Sequence, residues 1–184
     1  MKAGDRVLLY MQNSPQWILA FYGILRANAV VVPVNPMNRA EELKHYITDP
    51  DAKVAITTGD LAAELVKASD ALPAGQGLAH MVVTQFTDAF DGATTGPDAP
   101  PAAWHEWLLT RHALPALAGG QTHAWDVAVS CVELPPELTV GPSDMAILPY
   151  TSGTTGLPKG CIHLHASVMH NAMAGGLWNN ATPD

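Results

Sequence analysis

The sequence predicts an α/β fold, a mostly parallel sheet flanked by helices, on three observations. Short apolar runs rich in β-branched residues recur along the first half of the chain. Segments with apolar residues at helical spacing separate them. The alternation of the two calls for crossover connections, which place parallel strands side by side with helices over the faces.

The elements follow in order. Arg6 to Met11 is an apolar run bounded by turn residues, the pattern of a buried strand. Ser14 and Pro15 then supply an N-cap and a first-turn proline, and Trp17, Ile18, Phe21, Ile24 and Leu25 follow at helical spacing. Ala29 to Val34 is a second buried strand, although Pro33 has no donor for a ladder and pushes its end toward an edge. Asn38 with Glu41 forms a capping-box-like start, and Leu43, Tyr46 and Ile47 give the next helix its apolar stripe. A strand around Lys53 to Thr57, a helix around Asp60 to Ser69 and a strand around His80 to Thr84 continue the pattern.

Asp88 to Pro101 is dominated by Gly, Ala, Thr, Asp and Pro and breaks the alternation. Trp104, Trp107, Leu108 and His112 then share one face of a short helix. Further Gly/Pro-rich stretches run from Leu114 to Gly120 and from Pro135 to Pro142. Ala146 to Tyr150 is a final strand, and Val168, Met169, Ala172, Met173 and Leu177 predict an amphipathic helix. The expected organisation is thus one incomplete domain over 1–184: a βαβ-rich half over 1–87, a loop-rich connection over 88–142, and a strand, loop and helix over 143–184.

The chain has 184 residues and a formal net charge of −8, with no run of Lys or Arg longer than one residue. A nucleic acid or an anionic membrane needs clustered positive charge, so neither is expected as a partner. Hydrophobic residues make up 48% and charged residues 14%, the balance of a chain that folds around a core. Cys131 and Cys161 have no CxxC or zinc-finger spacing, and neither a secretory signal nor a membrane-length apolar run is present, so the cytoplasm is the expected location. His163, His165 and His170 have spacings open to zinc but lack Cys or carboxylate neighbours, and no metal ligand is assigned. Cys161 is read as a buried apolar thiol, and the tryptophans at 17, 104, 107, 125 and 178 as core.

One segment carries chemistry. From Tyr150 to Gly160 the sequence holds three glycines, four Ser or Thr hydroxyls and Lys159. Glycines let backbone amides converge on an anion, hydroxyls add rotatable donors and lysine adds a full charge, a composition suited to a phosphate chain. It is not a Walker A loop, because Pro158 precedes Lys159 and Gly160 follows it, nor a GxGxxG dinucleotide fingerprint. A surface turn between two strands has the same composition, and Lys159 could equally close the loop onto a carbonyl or carboxylate. Both alternatives stay open at this point.

Tyr150 to Gly160, with Thr151-Ser152-Gly153-Thr154-Thr155-Gly156 and Pro158-Lys159-Gly160, closely resembles the phosphate-binding signature of the adenylate-forming enzymes, the superfamily of acyl-CoA synthetases, firefly-luciferase-like proteins and nonribosomal adenylation domains. Gly4-Asp5-Arg6-Val7, Asn13-Ser14-Pro15, the run Gly23 to Pro36 and the helix beginning Ala40-Glu41-Glu42-Leu43 resemble the amino-terminal half of an acyl-CoA ligase in the same order. The resemblance is weakest from Asp88 to Pro142.

That resemblance implies a two-step reaction of the long-chain fatty-acid–CoA ligase type: a carboxylate and ATP give an acyl-adenylate and pyrophosphate, and coenzyme A then takes the acyl group, with Mg2+ assisting. Thr151, Ser152, Gly153, Thr154, Thr155 and Gly156 would grip the β- and γ-phosphates with Lys159 beside them, and His165 would stand at a helix start or pocket wall. An aryl-CoA or carrier-protein ligase, or a non-catalytic nucleotide-binding module, fits the same residues. The family's ribose-binding aspartate, its magnesium-holding glutamate and its adenylation lysine have no counterpart before Asp184. The segment is therefore expected to be a truncated amino-terminal portion, to contain no catalytic residue, to be inactive alone, to need the downstream domains of the same chain, and to be open to self-association through uncovered apolar surface.

Overall fold

A computed structural model describes residues 1–90, 95–97, 99–151 and 156–179. Seven strands form one sheet in the order β5-β4-β3-β1-β2-β6-β9, and a separate two-stranded sheet pairs β7 with β8. Strands β1 (Arg6–Tyr10), β2 (Val30–Val34), β3 (Val54–Thr58), β4 (His80–Thr84), β5 (Gln121–Ala124) and β6 (Met145–Ile147) run parallel, while β9 (His163–Leu164) is antiparallel to β6.

The period-two pleat of β1 explains why both faces must be covered. Val7, Leu9 and Met11 point to one side, where Ala20 and Ile24 of α1 (Pro15–Arg26) close over them. Leu8 and Tyr10 point to the other, against Leu43 and Ile47 of α2 (Ala40–Thr48) and Leu65 of α3 (Gly59–Asp70). The Tyr10 hydroxyl finds the carbonyl of Asn38 at 2.6 Å, and burial pushes its pKa up to about 12. Ser14 caps α1, its Oγ accepting from the Trp17 amide at 3.2 Å. Asn28 holds a left-handed φ of 60° and ties the chain beyond α1 to the distant connection: its Nδ2 donates to the Glu137 carbonyl at 2.8 Å and its Oδ1 accepts from the Thr139 amide at 2.9 Å.

Several expectations need correction. On α1, Trp17, Phe21, Ile24 and Leu25 face the core as expected, but Ile18 is turned to solvent and Gln16 and Ala20 are buried instead, the Gln16 amide donating to the Gln85 carbonyl at 2.9 Å. The box at α2 is displaced by one residue: Glu42 accepts from the Arg39 amide, since Asn38 is held by the Tyr10 contact. The strand expected over 146–150 stops at Ile147, and after Pro149 the chain leaves the sheet as β7 (Tyr150–Thr151). The helix expected to carry Trp104 and Trp107 is short, α4 (His105–Leu109): Trp104 ends the 3-10 turn before it, and His112 lies beyond it with its backbone paired to the Gln85 amide.

Within the stretch read as loop-rich, β5 extends the sheet and α5 (Trp125–Val129) follows it. Gln121, Thr122 and His123 carry no apolar alternation, so β5 exists through its ladder with β4; Gly120 lets it approach, since a Cβ there would sit 2.4 Å from the Ala79 carbonyl oxygen. Helix α6 (His165–Trp178) forms as expected but buries none of its residues, leaving Met173 and Leu177 exposed. Trp104, Trp107 and Trp178 are likewise exposed rather than core, and Cys161 is half-buried rather than buried.

Candidate functional site

The two ends of the glycine- and hydroxyl-rich segment pair as an antiparallel hairpin stem. Tyr150 pairs with Gly160 and Thr151 with Lys159 across β7 and β8 (Lys159–Gly160), and the Cys161 amide continues the stem by donating to the Pro149 carbonyl at 2.8 Å. The stem lies tight against the sheet: a Cβ on Gly160 would meet Leu148 Cδ1 at 3.0 Å, a separation that excludes larger residues without movement. Ser152, Gly153, Thr154 and Thr155 lie outside the described residues.

Thr151, Gly156 and Lys159 are described and exposed. Gly156 has φ 149°, a conformation that L side chains rarely adopt. The Thr151 hydroxyl is 3.8 Å from Cys161 Sγ, a weak contact that leaves its donor available. Among the described residues no salt bridge engages Lys159. The exposed Thr151 hydroxyl and Lys159 ammonium, on paired strands, are donors of the kind an anion accepts from.

Two side chains of α2 hold the stem. His45 Nε2 lies 2.7 Å from the Pro158 carbonyl oxygen and therefore donates its N–H, while the Tyr150 hydroxyl donates to Asp49 Oδ2. Burial first, and the Asp49 carboxylate second, hold the Tyr150 phenol above its ordinary pKa, so it remains a donor at neutral pH. Sequence reasoning missed His45 and Asp49 because they lie more than a hundred positions from their partners, and nothing local marks that pairing.

A cavity of about 690 Å3 flanks the stem, lined by Arg6, Asp49, Asp144, Leu148 and Gly160 among others. Its two carboxylates outnumber its one guanidinium, so a polyphosphate would lie on the loop side and not here. His165 is placed apart from the hairpin. It opens α6 and lines a cleft of about 520 Å3 with Val140, Pro142, Met169 and His170, none of them from the 150–160 segment.

The AMP-binding enzyme family matches residues 1–183. A long-chain-fatty-acid–CoA ligase of Escherichia coli O6:H1 is 32% identical over 171 residues, covering 93% of this chain and 29% of the relative. 4-Coumarate–CoA ligase 1 of Oryza sativa subsp. japonica is 29% identical, covering 91% of this chain and 25% of the relative. Among solved structures, apo MbtA of Mycobacterium smegmatis superposes with a TM-score of 0.67 at 26% identity, over 100% of this chain and 28% of that one. The chain therefore spans less than a third of the relatives it matches. With a family match that runs almost from end to end over a sheet of the same build, the chain belongs to the AMP-binding enzymes, the adenylate-forming ligases.

Proposed function

We propose that this chain is the amino-terminal portion of an ATP-dependent acyl-CoA ligase acting on a fatty acid. The observation that carries the reading is the phosphate-suited sequence from Thr151 to Lys159, whose two ends are paired in an antiparallel stem with Thr151 and Lys159 exposed. In the proposed reaction a carboxylate oxygen attacks the α-phosphorus of ATP, pyrophosphate leaves with the broken bond's electron pair, and the thiolate of coenzyme A then displaces AMP from the acyl carbon. Both partners of the first step are anionic, so positive charge and hydrogen-bond donors around the phosphates lower its barrier. Thr151, Ser152, Gly153, Thr154, Thr155, Gly156 and Lys159 take that role at the β- and γ-phosphates.

The described residues include no group of three or more His, Cys, Asp or Glu that could hold a metal, and the magnesium proposed to assist the first step would be held by downstream polypeptide. The adenylation chemistry is assigned to downstream polypeptide of the same chain. That polypeptide is also the proposed cover for α6, and without it this segment is inactive in both half-reactions. His165 is a proposed pocket-wall residue. The proposed setting is the cytoplasm, where free thiols such as Cys131 and Cys161 persist.

Carboxylate-dependent exchange of labelled pyrophosphate into ATP, measured on the complete ligase with a panel of acids, tests the reading. Exchange with long-chain fatty acids supports it. Preference for aryl acids, the class named for the rice relative, replaces the substrate, and exchange with no acid leaves a non-catalytic nucleotide-binding module. Lys159→Ala is expected to weaken ATP binding by about tenfold or more, as for loss of a charge-assisted contact.

A further inference from the structure

The β7–β8 hairpin is not joined by any ladder to the seven-stranded sheet. Its register is internal, Tyr150 to Gly160 and Thr151 to Lys159, and among the described residues only the Cys161 amide to the Pro149 carbonyl links it back toward the β6–β9 pair. Beyond that root, side chains at the end of one helix hold it on both sides. Asp49 takes the hydroxyl of Tyr150 on the entering strand, and His45, one turn earlier on the same face of α2, holds the Pro158 carbonyl just before the returning strand. Between them the ring of Tyr46 meets that of Tyr150 edge to face, centroids 4.8 Å apart, and the His45 ring lies at 84° to Tyr150.

The base of this grip is packed into the core. Leu43 and Ile47 on the opposite side of α2 are fully buried, and the turn after the helix is tied to β1 by the Arg6 guanidinium, which donates to the Pro50 carbonyl. A stem held by contacts to a helix packed into the core fixes Thr151 and Lys159 relative to the body, which is what a polyphosphate needs if several donors are to reach it together.

We infer that His45 and Asp49 are positioning residues for nucleotide binding: they clamp the two strands of the 150–160 hairpin and so preset the loop's donors for the phosphates. The inference rests on the reading of that loop as the phosphate site. Neither side chain touches the nucleotide. Each acts through the strand it holds, His45 as an Nε2–H donor and Asp49 as an acceptor.

The test uses acid-dependent pyrophosphate exchange by the complete ligase, with KM for ATP and for the acid measured separately and melting temperature recorded beside them. His45→Phe keeps the aromatic packing and removes the donor, and Asp49→Ala removes the acceptor. Each is expected to raise KM for ATP by about tenfold or more, leaving KM for the acid within about twofold. His45→Gln places an amide N–H where the Nε2–H stood, and Asp49→Asn keeps an acceptor oxygen, so both are expected to restore most of the ATP affinity. A merely structural role would lower the melting temperature and leave KM for ATP unmoved. Nitrogen-15 spectra of the wild-type imidazole provide a readout independent of any variant: the His45 proton is expected on Nε2. Unchanged ATP KM in both disruptive variants, or a bare Nε2, overturns the clamp while the loop assignment stands. Absence of ATP binding in the wild type overturns the loop assignment and the clamp with it.

Discussion

The block from β1 to α3 and the segment from β6 to α6 are built from the same kinds of element, yet they differ in what their helices cover. In the first, each strand is buried on both faces and α1, α2 and α3 all contribute buried side chains. In the second, α6 is longer than any of these three and contributes none. Its apolar content is not the reason, since Val168, Met169, Met173, Leu177 and Trp178 are all available. A helix is buried when a sheet face lies opposite its stripe, and here the face beside β9 ends after two residues. Burial is therefore a property of the pair, and apolar side chains alone do not produce it.

The contrast can be broken from the core side first. Ile47→Ala removes a fully buried side chain that packs between sheet and helix, and urea unfolding is expected to lose about 2–5 kcal/mol. Asn28→Ala is expected to cost about 1–3 kcal/mol, because it strands the Glu137 carbonyl and the Thr139 amide and puts a Cβ-only residue in a left-handed turn. Asn28→Gly should recover the backbone part of that loss and none of the hydrogen-bonding part.

Tyr10→Phe tests the same block through pH. At neutral pH the variant is expected to lose about 1 kcal/mol, one hydrogen bond. The wild-type phenol titrates near 10 when unfolded and at about 12 when folded, so its contribution is complete below pH 10 and fades as pH rises through 12. The rise from 10 to about 12 outweighs one hydrogen bond, so the denaturant midpoints of wild type and variant should draw together and then cross within that window, and a constant gap would reject the buried hydroxyl. The smallest effect is expected on α6: Met173→Ala, at an exposed site, should change unfolding free energy by no more than about 0.5 kcal/mol. A loss as large as that of Ile47→Ala would show that α6 is covered in solution.

Legibility in the sequence follows the range of the interaction that makes each feature. The strand at Arg6–Tyr10, the Ser14 cap and the stripe Leu43, Tyr46 and Ile47 could be read because neighbours in sequence create them. Strand β5 could not, since Gln121, Thr122 and His123 form a strand only where β4 offers an edge. The candidate site divides in the same way. Its loop chemistry, Thr151 to Lys159, is local and visible, whereas the His45 and Asp49 contacts exist only after α2 has packed.

By itself, the order of residues determined an alternating α/β chain, the buried register of its first strands and a glycine- and hydroxyl-rich turn suited to phosphate. These depend on periodicity, backbone freedom and side-chain chemistry, all encoded within a few positions. Only the tertiary structure decided that the turn leaves the sheet as a separate hairpin, that α2 grips both its strands, and that α6 stays uncovered. Those depend on which surfaces meet, and contact between surfaces far apart along the chain is settled by packing the whole.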